Sequence, residues 1–418
     1  MKINKKDKTL LQSLAEEVRD IAERPVQKHT RELWRRLNDL EPCRPMLWIN
    51  EIPWHEMNRG DELLLKCSEP LCREAERHFR QTLYCWKHMR ADMVVENLFY
   101  SPLAIKDSGF GIEEDIDFRK EDKESNILSR DFKPQIDNEE DLQKIRTPQI
   151  THDAEESERR FLYYQELFGD ILPVTKQGIT HVWTAPWDYL IRYWGVEEAM
   201  VDLLVRPDLV HRAIGRYVNA HIERLRQWQE LNLLSCAEGN YRVGSGALAY
   251  SDDLPQKDFD PLHVRSQDQW GCSTAQIFSD VSPQMHKEFA LQYEIRWLEN
   301  FGLNYYGCCE PLHNKIELLH EIPNLRKISI SPWADVRKSA EQVHRDYVLS
   351  LKPNPAVLAA KTWDLAQAEK ELRLVLENSS GCNVEVVMKD ISTVRYQPQR
   401  LWQWVEMATR TVQQFNKS

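Results

Sequence analysis

Apolar residues recur at spacings of three and four from the start of the chain: Leu11, Leu14, Val18 and Ile21, and then, beyond Pro25, Leu33, Leu37 and Leu40. Stripes of this period mark amphipathic packing helices, and they predict an N-terminal helical extension over 1–41. From residue 44 the pattern changes. Short apolar runs bounded by Pro, Gly and polar turns, at 44–50, 93–100, 233–236, 275–278, 303–309, 327–330, 347–351 and 384–388, read as buried strands. Helical sequence lies between most of them, over 61–89, 154–168 and 196–231. Buried strands alternating with helices build parallel sheets from βαβ units. About eight such repeats in one chain predict an α/β fold, a closed (β/α)8 TIM barrel over 42–418. No G-x-G-x-x-G or Walker-type loop is present, which removes the main support for a dinucleotide or P-loop enzyme.

Charge changes this outline in one place. The 418 residues carry a formal net charge of -11, and between Asp107 and Glu158 seventeen Asp and Glu stand against seven Lys and Arg. Nearly all of the net charge thus falls in one segment, an acidic insertion in the barrel at about 105–160. It reads either as a solvated excursion or as an acidic docking surface. An acidic chain offers no broad surface for phosphates, so nucleic acid is not an expected partner. No run of about 18 apolar residues exists, so no membrane span is expected. The basic N-terminus lacks the apolar stretch of a secretory signal. Nine cysteines scattered from Cys43 to Cys382 do not resemble a disulfide framework. Together these features predict a cytoplasmic protein.

In a parallel barrel the chemistry sits where strands end. Three segments qualify. In 304–313, Cys308, Cys309, Glu310 and His313 bring thiolate, carboxylate and imidazole to one strand end, a partial zinc set. The plain alternative is that the cysteines are small buried hydrophobes. Alternation along a strand would put Cys308 and Glu310 on one face and Cys309 on the other; if the strand ends at Gly307, Cys309 can turn into the site instead. In 244–256, closely spaced small residues lead to Tyr250 and an Asp pair that includes Asp253, and Trp270 beyond them offers a flat wall; an ordinary long turn is the alternative. In 386–393, Lys389 and Asp390 follow an apolar run and could orient a polar substrate or form a surface ion pair. Several of the 14 tryptophans, among them Trp48, Trp54, Trp183, Trp187 and Trp333, fall near strand ends, which suits a flat, apolar ligand.

From about residue 42 the chain is similar to the uroporphyrinogen decarboxylase superfamily. The resemblance rests on Arg44 and Pro45 opening the first strand, Val281, Ser282 and Pro283 before a helix, the run from Phe301 to Glu310, and the run from Arg395 to Gln399 before the last helix. It implies a (β/α)8 barrel, and either a porphyrinogen decarboxylase or a zinc-assisted methyltransferase working with a corrinoid (cobalamin) protein. The decarboxylases resemble R-P-x-W-x-M-R-Q-A-G-R in the first strand, with arginines that hold the substrate carboxylates. Here Asn50 and Glu51 stand there, so the methyltransferase branch is expected, with Asn50, Glu51, Tyr250, Asp253 and Trp270 binding substrate. Its zinc pattern resembles H-x-C with a distant Cys. This chain keeps a thiolate, lacks the His, and offers Cys308, Cys309 and Glu310 as ligands, with Glu310, Lys389 and Asp390 as catalytic groups. The implied partners are a small methyl donor or acceptor, such as a methoxy-aromatic molecule, and a corrinoid carrier protein; a homodimer is compatible with these. A decarboxylase-like lyase and a non-catalytic small-molecule-binding barrel are the alternatives.

Overall fold

The computed structural model describes residues 3–119, 129–236 and 239–415. Acidic residues Glu121, Asp122 and Glu124 of the charged segment lie outside them. The parallel strands are β1 (Met46–Ile49), β2 (Phe99–Pro102), β3 (Val174–Gln177), β4 (Trp270–Ser273), β5 (Leu303–Tyr306), β6 (Leu325–Ile330), β7 (Val348–Leu351) and β8 (Asn383–Met388). Six of them form one sheet in the order β1-β8-β7-β6-β5-β4, and β2 pairs separately with β3. Helices alternate with these strands, as the sequence pattern predicts.

Among the described residues, backbone pairing does not close the ring. Leu234, in the run expected as a strand at 233–236, makes one isolated parallel bridge to Ile179, and the run at 275–278 contains a 3-10 turn, Gln276–Phe278. The gaps are spanned by side chains. The Gln269 amide donates to Ile179 O at 2.6 Å and to Ser235 O at 2.8 Å. His181 donates through Nδ1 to Trp270 O at 3.0 Å and accepts Gly244 N–H on Nε2 at 2.8 Å. On the other flank Asp92 accepts Leu47 N–H at 2.7 Å, and its own N–H donates to Leu47 O at 3.1 Å.

Alternation along the strands divides apolar from polar. Leu47, Ile49, Ile328, Ile330, Leu349, Leu351, Val384, Val386 and Met388 join the large core under the helices. Between them fall Lys327, Ser329, Ser350 and Glu385, all fully buried. Lys327 Nζ and Glu385 Oε2 pair at 2.8 Å with no side-chain exposure on either. The segment 243–250 lies against this polar face. Ser245 Oγ meets Tyr305 Oη at 2.9 Å, Ala247 N–H reaches Glu385 Oε1 at 3.2 Å, and Lys327 Nζ donates to Leu248 O at 3.2 Å. A Cβ on Gly246 would stand 2.5 Å from Glu385 Oε1 and 2.6 Å from Tyr305 Cε2, so the approach needs glycine.

The N-terminal helices are integral to this body. Lys5–Ala22 packs through Leu11, Leu14 and Val18 with Phe79, Tyr164 and Phe168 of neighbouring helices. Pro25–Asn38 ends with Asn38 donating to Leu248 O and Tyr250 O. The helix expected over 196–231 is two, Val196–Val205 and Pro207–Glu230, because proline lacks the N–H that would continue the first. In its described parts the acidic segment is packed as well as exposed. It folds into antiparallel pairs, Ile105–Asp107 with Ile150–His152 and Ile116–Arg119 with Ser129–Phe132, and buries Ile112, Ile136, Leu142 and Ile145. Its carboxylates meet arginines of two later helices, Pro186–Trp194 and Pro207–Glu230: Glu114 with Arg192 at 2.6 Å, Glu139 with Arg212 at 3.2 Å and Asp107 with Arg224 at 3.5 Å.

Removing one member of the buried pair leaves an uncompensated charge. Glu385→Gln should therefore cost about 3–5 kcal/mol in urea unfolding, whereas Lys327→Met combined with Glu385→Leu should recover most of that loss. A single-variant loss below roughly 1 kcal/mol would show that the interior does not depend on the pair.

Candidate functional site

Three strand ends meet at one mouth of the sheet. β5 ends at Tyr306, and Gly307, at φ +94, turns the chain in the left-handed region. A Cβ there would lie 2.5 Å from Leu312 Cδ1. The turn delivers both following cysteines to the mouth, with Cys308 Sγ and Cys309 Sγ 3.6 Å apart. β8 ends at Met388 and places Lys389 and Asp390 beside them; β1 ends at Ile49 and adds Asn50 and Glu51. Glu51 and Asp390 hold φ of 51° and 54° without being glycine, backbone strain of the kind that clusters at functional sites.

Lys389 is the centre of the cluster. Its Nζ lies 3.4 Å from Cys308 Sγ, 3.8 Å from Cys309 Sγ and 2.8 Å from Asp390 Oδ2. Glu51 Oε2 stands 4.0 Å away, accepts Asp390 N–H at 3.0 Å, and the same carboxylate pairs with Arg242 at 2.9 Å. The hydrogen bond from Cys309, and then the Lys389 ammonium, hold the Cys308 thiol below its ordinary value against the opposing effect of burial. Its bond to Cys308 and burial push the Cys309 thiol far up. Against burial, the sulfurs and Asp390 hold the Lys389 ammonium above the ordinary lysine value. The arrangement is a thiol biased towards its thiolate, beside a second thiol and an ammonium, which suits nucleophile chemistry.

The expected residues divide. Cys308, Cys309, Lys389, Asp390 and Glu51 come together. Glu310 is turned beneath the loop: Oε2 accepts Cys308 N–H at 2.9 Å and Oε1 accepts the Thr274 hydroxyl at 2.6 Å, so it shapes the turn rather than facing the sulfurs. Among the described residues no three of His, Cys, Asp and Glu are grouped to hold a metal ion, and an ammonium touches both sulfurs and Asp390. The zinc ion implied by the resemblance does not fit this donor set. Tyr250, Asp253 and Trp270 lie at the other end of the sheet. Asp253 pairs with Arg326 at the start of β6 at 2.7 Å, and Trp270, fully buried at the start of β4, donates to Ala249 O at 3.0 Å.

Asn50 and Glu51 also line a cavity of about 410 Å³ with Trp48, Trp54, Met89 and Met93. The Trp48 Nε1 and Asn50 Nδ2 donors are shielded from solvent and have no hydrogen-bond partner among the described residues. Lys352, just past β7, was not among the expected residues. Its Nζ touches Tyr305 Oη at 2.9 Å and Ser350 O and Oγ at 2.7 Å, and burial pulls it down to about 7. A lysine following an apolar strand run is the signal that marks Lys389, and the same signal stands at 351–352.

No family model matches the chain, and no curated protein matches it. A solved structure described as a methyltransferase from Methanosarcina mazei is similar at 12% identity, over 92% of this chain and 98% of that one, with a TM-score of 0.53. At that identity the likeness is one of fold, and it extends over nearly the whole length of both chains.

Two outcomes follow from the charges at this mouth. Iodoacetamide at pH 7 should alkylate Cys308 ahead of Cys43, Cys67, Cys85 and Cys236, whose thiols burial pushes up. Lys389→Met should slow that reaction about tenfold, one pKa unit, read by peptide mass spectrometry; equal rates would remove the ammonium from the account. Above about pH 7 folded Lys352 is neutral, while the unfolded chain protonates it up to its ordinary 10.5. The unfolded state then binds more protons, so wild-type stability should rise with pH across that window relative to Lys352→Met. A pH-independent difference would mean Lys352 keeps its proton.

Proposed function

We propose that this protein is a methyltransferase that passes a methyl group between a small methylated molecule and a separate corrinoid protein, with the Cys308 thiolate receiving the methyl carbon. One observation carries this reading: Cys308 Sγ stands 3.4 Å from the Lys389 ammonium where strand ends converge. The fold likeness to a methyltransferase supports it, and so does the adjoining cavity. Trp48 and Trp54 offer flat apolar walls to a methoxy-aromatic or similar ligand, and the free Trp48 and Asn50 donors suit its oxygen atoms.

The chemistry is a displacement at carbon. The thiolate attacks the methyl group; the S–C bond forms as the bond to the leaving oxygen, nitrogen or sulfur breaks, and that heteroatom keeps the electron pair. Water supplies the proton that the leaving heteroatom takes, while the Lys389 ammonium, held protonated by the sulfurs and Asp390, stabilises the Cys308 thiolate. A reduced corrinoid on the partner protein would supply the second nucleophile, and Cys308 would release the methyl group to it, the S–C electron pair returning to sulfur. No step requires a metal held by this chain.

The test is an anaerobic assay with cob(I)alamin and a panel of methoxylated and methylated small molecules, following methylcobalamin by absorbance and Cys308 by mass. Wild type should turn over and show one added methylene mass on Cys308, and Cys308→Ser should keep no more than about one per cent of the rate. Undiminished turnover in Cys308→Ser would sink the thiolate role. The segment 243–250 against the inner face favours a second reading, a non-catalytic chain binding a small molecule in the Trp-lined cavity. Ligand binding with no turnover across the panel would establish that one instead.

A further inference from the structure

Two sulfurs and a carboxylate surround the Lys389 ammonium, and among the described residues no three such donors are grouped to hold a metal ion while it is there. Cys308 Sγ and Cys309 Sγ are 3.6 Å apart, and Cys309 Sγ is 3.4 Å from Asp390 Oδ2. Two thiolates at about 2.3 Å and a carboxylate oxygen at about 2.0 Å around one tetrahedral ion would stand roughly 3.5–3.8 Å from each other. The two spacings that Cys309 makes, to Cys308 and to Asp390, are therefore close to those around a shared cation. Within reach of all three donors lies Lys389 Nζ, at 3.4, 3.8 and 2.8 Å. An ammonium has three N–H donors and no acceptor, and here it meets three acceptors. Its side chain is only 4% exposed, so it is built into the site rather than resting on it. Glu310, the other carboxylate of the loop, is engaged by Cys308 N–H and Thr274.

We propose that Lys389 is the resident cation of a three-donor site formed by Cys308, Cys309 and Asp390, and that removing its ammonium turns the same donors into a site for a thiophilic divalent ion of the zinc or cadmium class. A divalent ion bridging the two sulfurs would stand within about 4 Å of the ammonium, and like charges so close in a largely buried site exclude one another. The lysine gives the pair a fixed positive charge that chelators cannot strip.

The experiment is an anaerobic titration of the full chain with Cd²⁺, following the thiolate-to-cadmium charge-transfer band in the ultraviolet, with circular dichroism as the check on folding. Lys389→Ala should bind one equivalent at least about a hundredfold more tightly than wild type. The gain should vanish when Cys308→Ser is added and weaken with Asp390→Asn; Lys389→Ser is the second variant if the first does not fold. Dialysis of wild type against a chelator should leave the rate of Cys308 alkylation unchanged. A folded Lys389 variant with no gain in affinity would overturn the proposal. So would wild-type protein that takes up one equivalent of Cd²⁺ with a band lost in Cys309→Ser, a result that needs no lysine variant. None of these readouts depends on methyl transfer, so the site and the reaction can fail separately.

Discussion

Lys327 and Glu385 face each other on the inner side of the sheet with no exposed side-chain area, and the Glu385 carboxylate opposes the burial that pulls the Lys327 ammonium down. A buried pair gains little by itself, because desolvation of two ions offsets their attraction unless every remaining donor and acceptor is met. Here they are met. Glu385 also takes the Ser350 hydroxyl at 2.5 Å and Ala247 N–H, while Lys327 donates to Leu248 O and lies 5.4 Å from the centre of the Trp270 ring. Those bonds draw 243–250 onto the polar face. That segment sets Ser245 against Tyr305, and Tyr305 against Lys352. The mouth therefore rests on a chain of contacts that begins at one ion pair on β6 and β8.

Two further lysines follow strand ends at similar burial, and they go opposite ways. Lys352 meets hydroxyls and a carbonyl, and burial draws it towards the neutral amine. Lys389 meets two sulfurs and a carboxylate, which hold its proton. The difference lies in their partners, since both side chains are nearly excluded from water. Separating a neutral amine from a fixed ammonium within one pocket is how a site divides acid and base roles among like residues.

The helix over 154–168 and the strands at 327–330, 347–351 and 384–388 were legible because each has one strong period and clean polar bounds. Lys389 and Asp390 were legible for the same reason: they follow an apolar run that ends sharply. The strands at 174–177 and 270–273 were not. Val174, Thr175, Lys176 and Gln177 alternate too weakly to register, and Gly271 and Ser273 dilute the apolar signal of a strand buried on both sides. The small residues of 244–246 do approach something closely, but it is Glu385 and Tyr305 rather than a ligand. Spacing shows that a backbone comes near; it does not show to what. Glu310 sits beneath the loop because a carboxylate two residues beyond a cysteine can fold back onto that cysteine's own amide, and sequence distance does not distinguish this from a position facing the sulfurs.

The acidic segment shows the same limit for charge. Clustered carboxylates read as a surface waiting for a cationic partner, yet much of that partner is in this chain. Arg192 lies on the helix Pro186–Trp194, and Arg212 and Arg224 lie on Pro207–Glu230, where they meet Glu114, Glu139 and Asp107. Pairs of this exposure contribute little stability each, so the salt bridges do not hold the segment down. The apolar residues between the acids do: Ile112, Ile136, Leu142 and Ile145 are buried in the main core, and the Phe110 ring packs on Tyr217 and His221. The arginines then set where an apolar underside may lie, by penalising any position that leaves the carboxylates facing one another. Net charge locates such a segment in the sequence, and the spacing of isoleucines within it, more than the charge, decides that it packs.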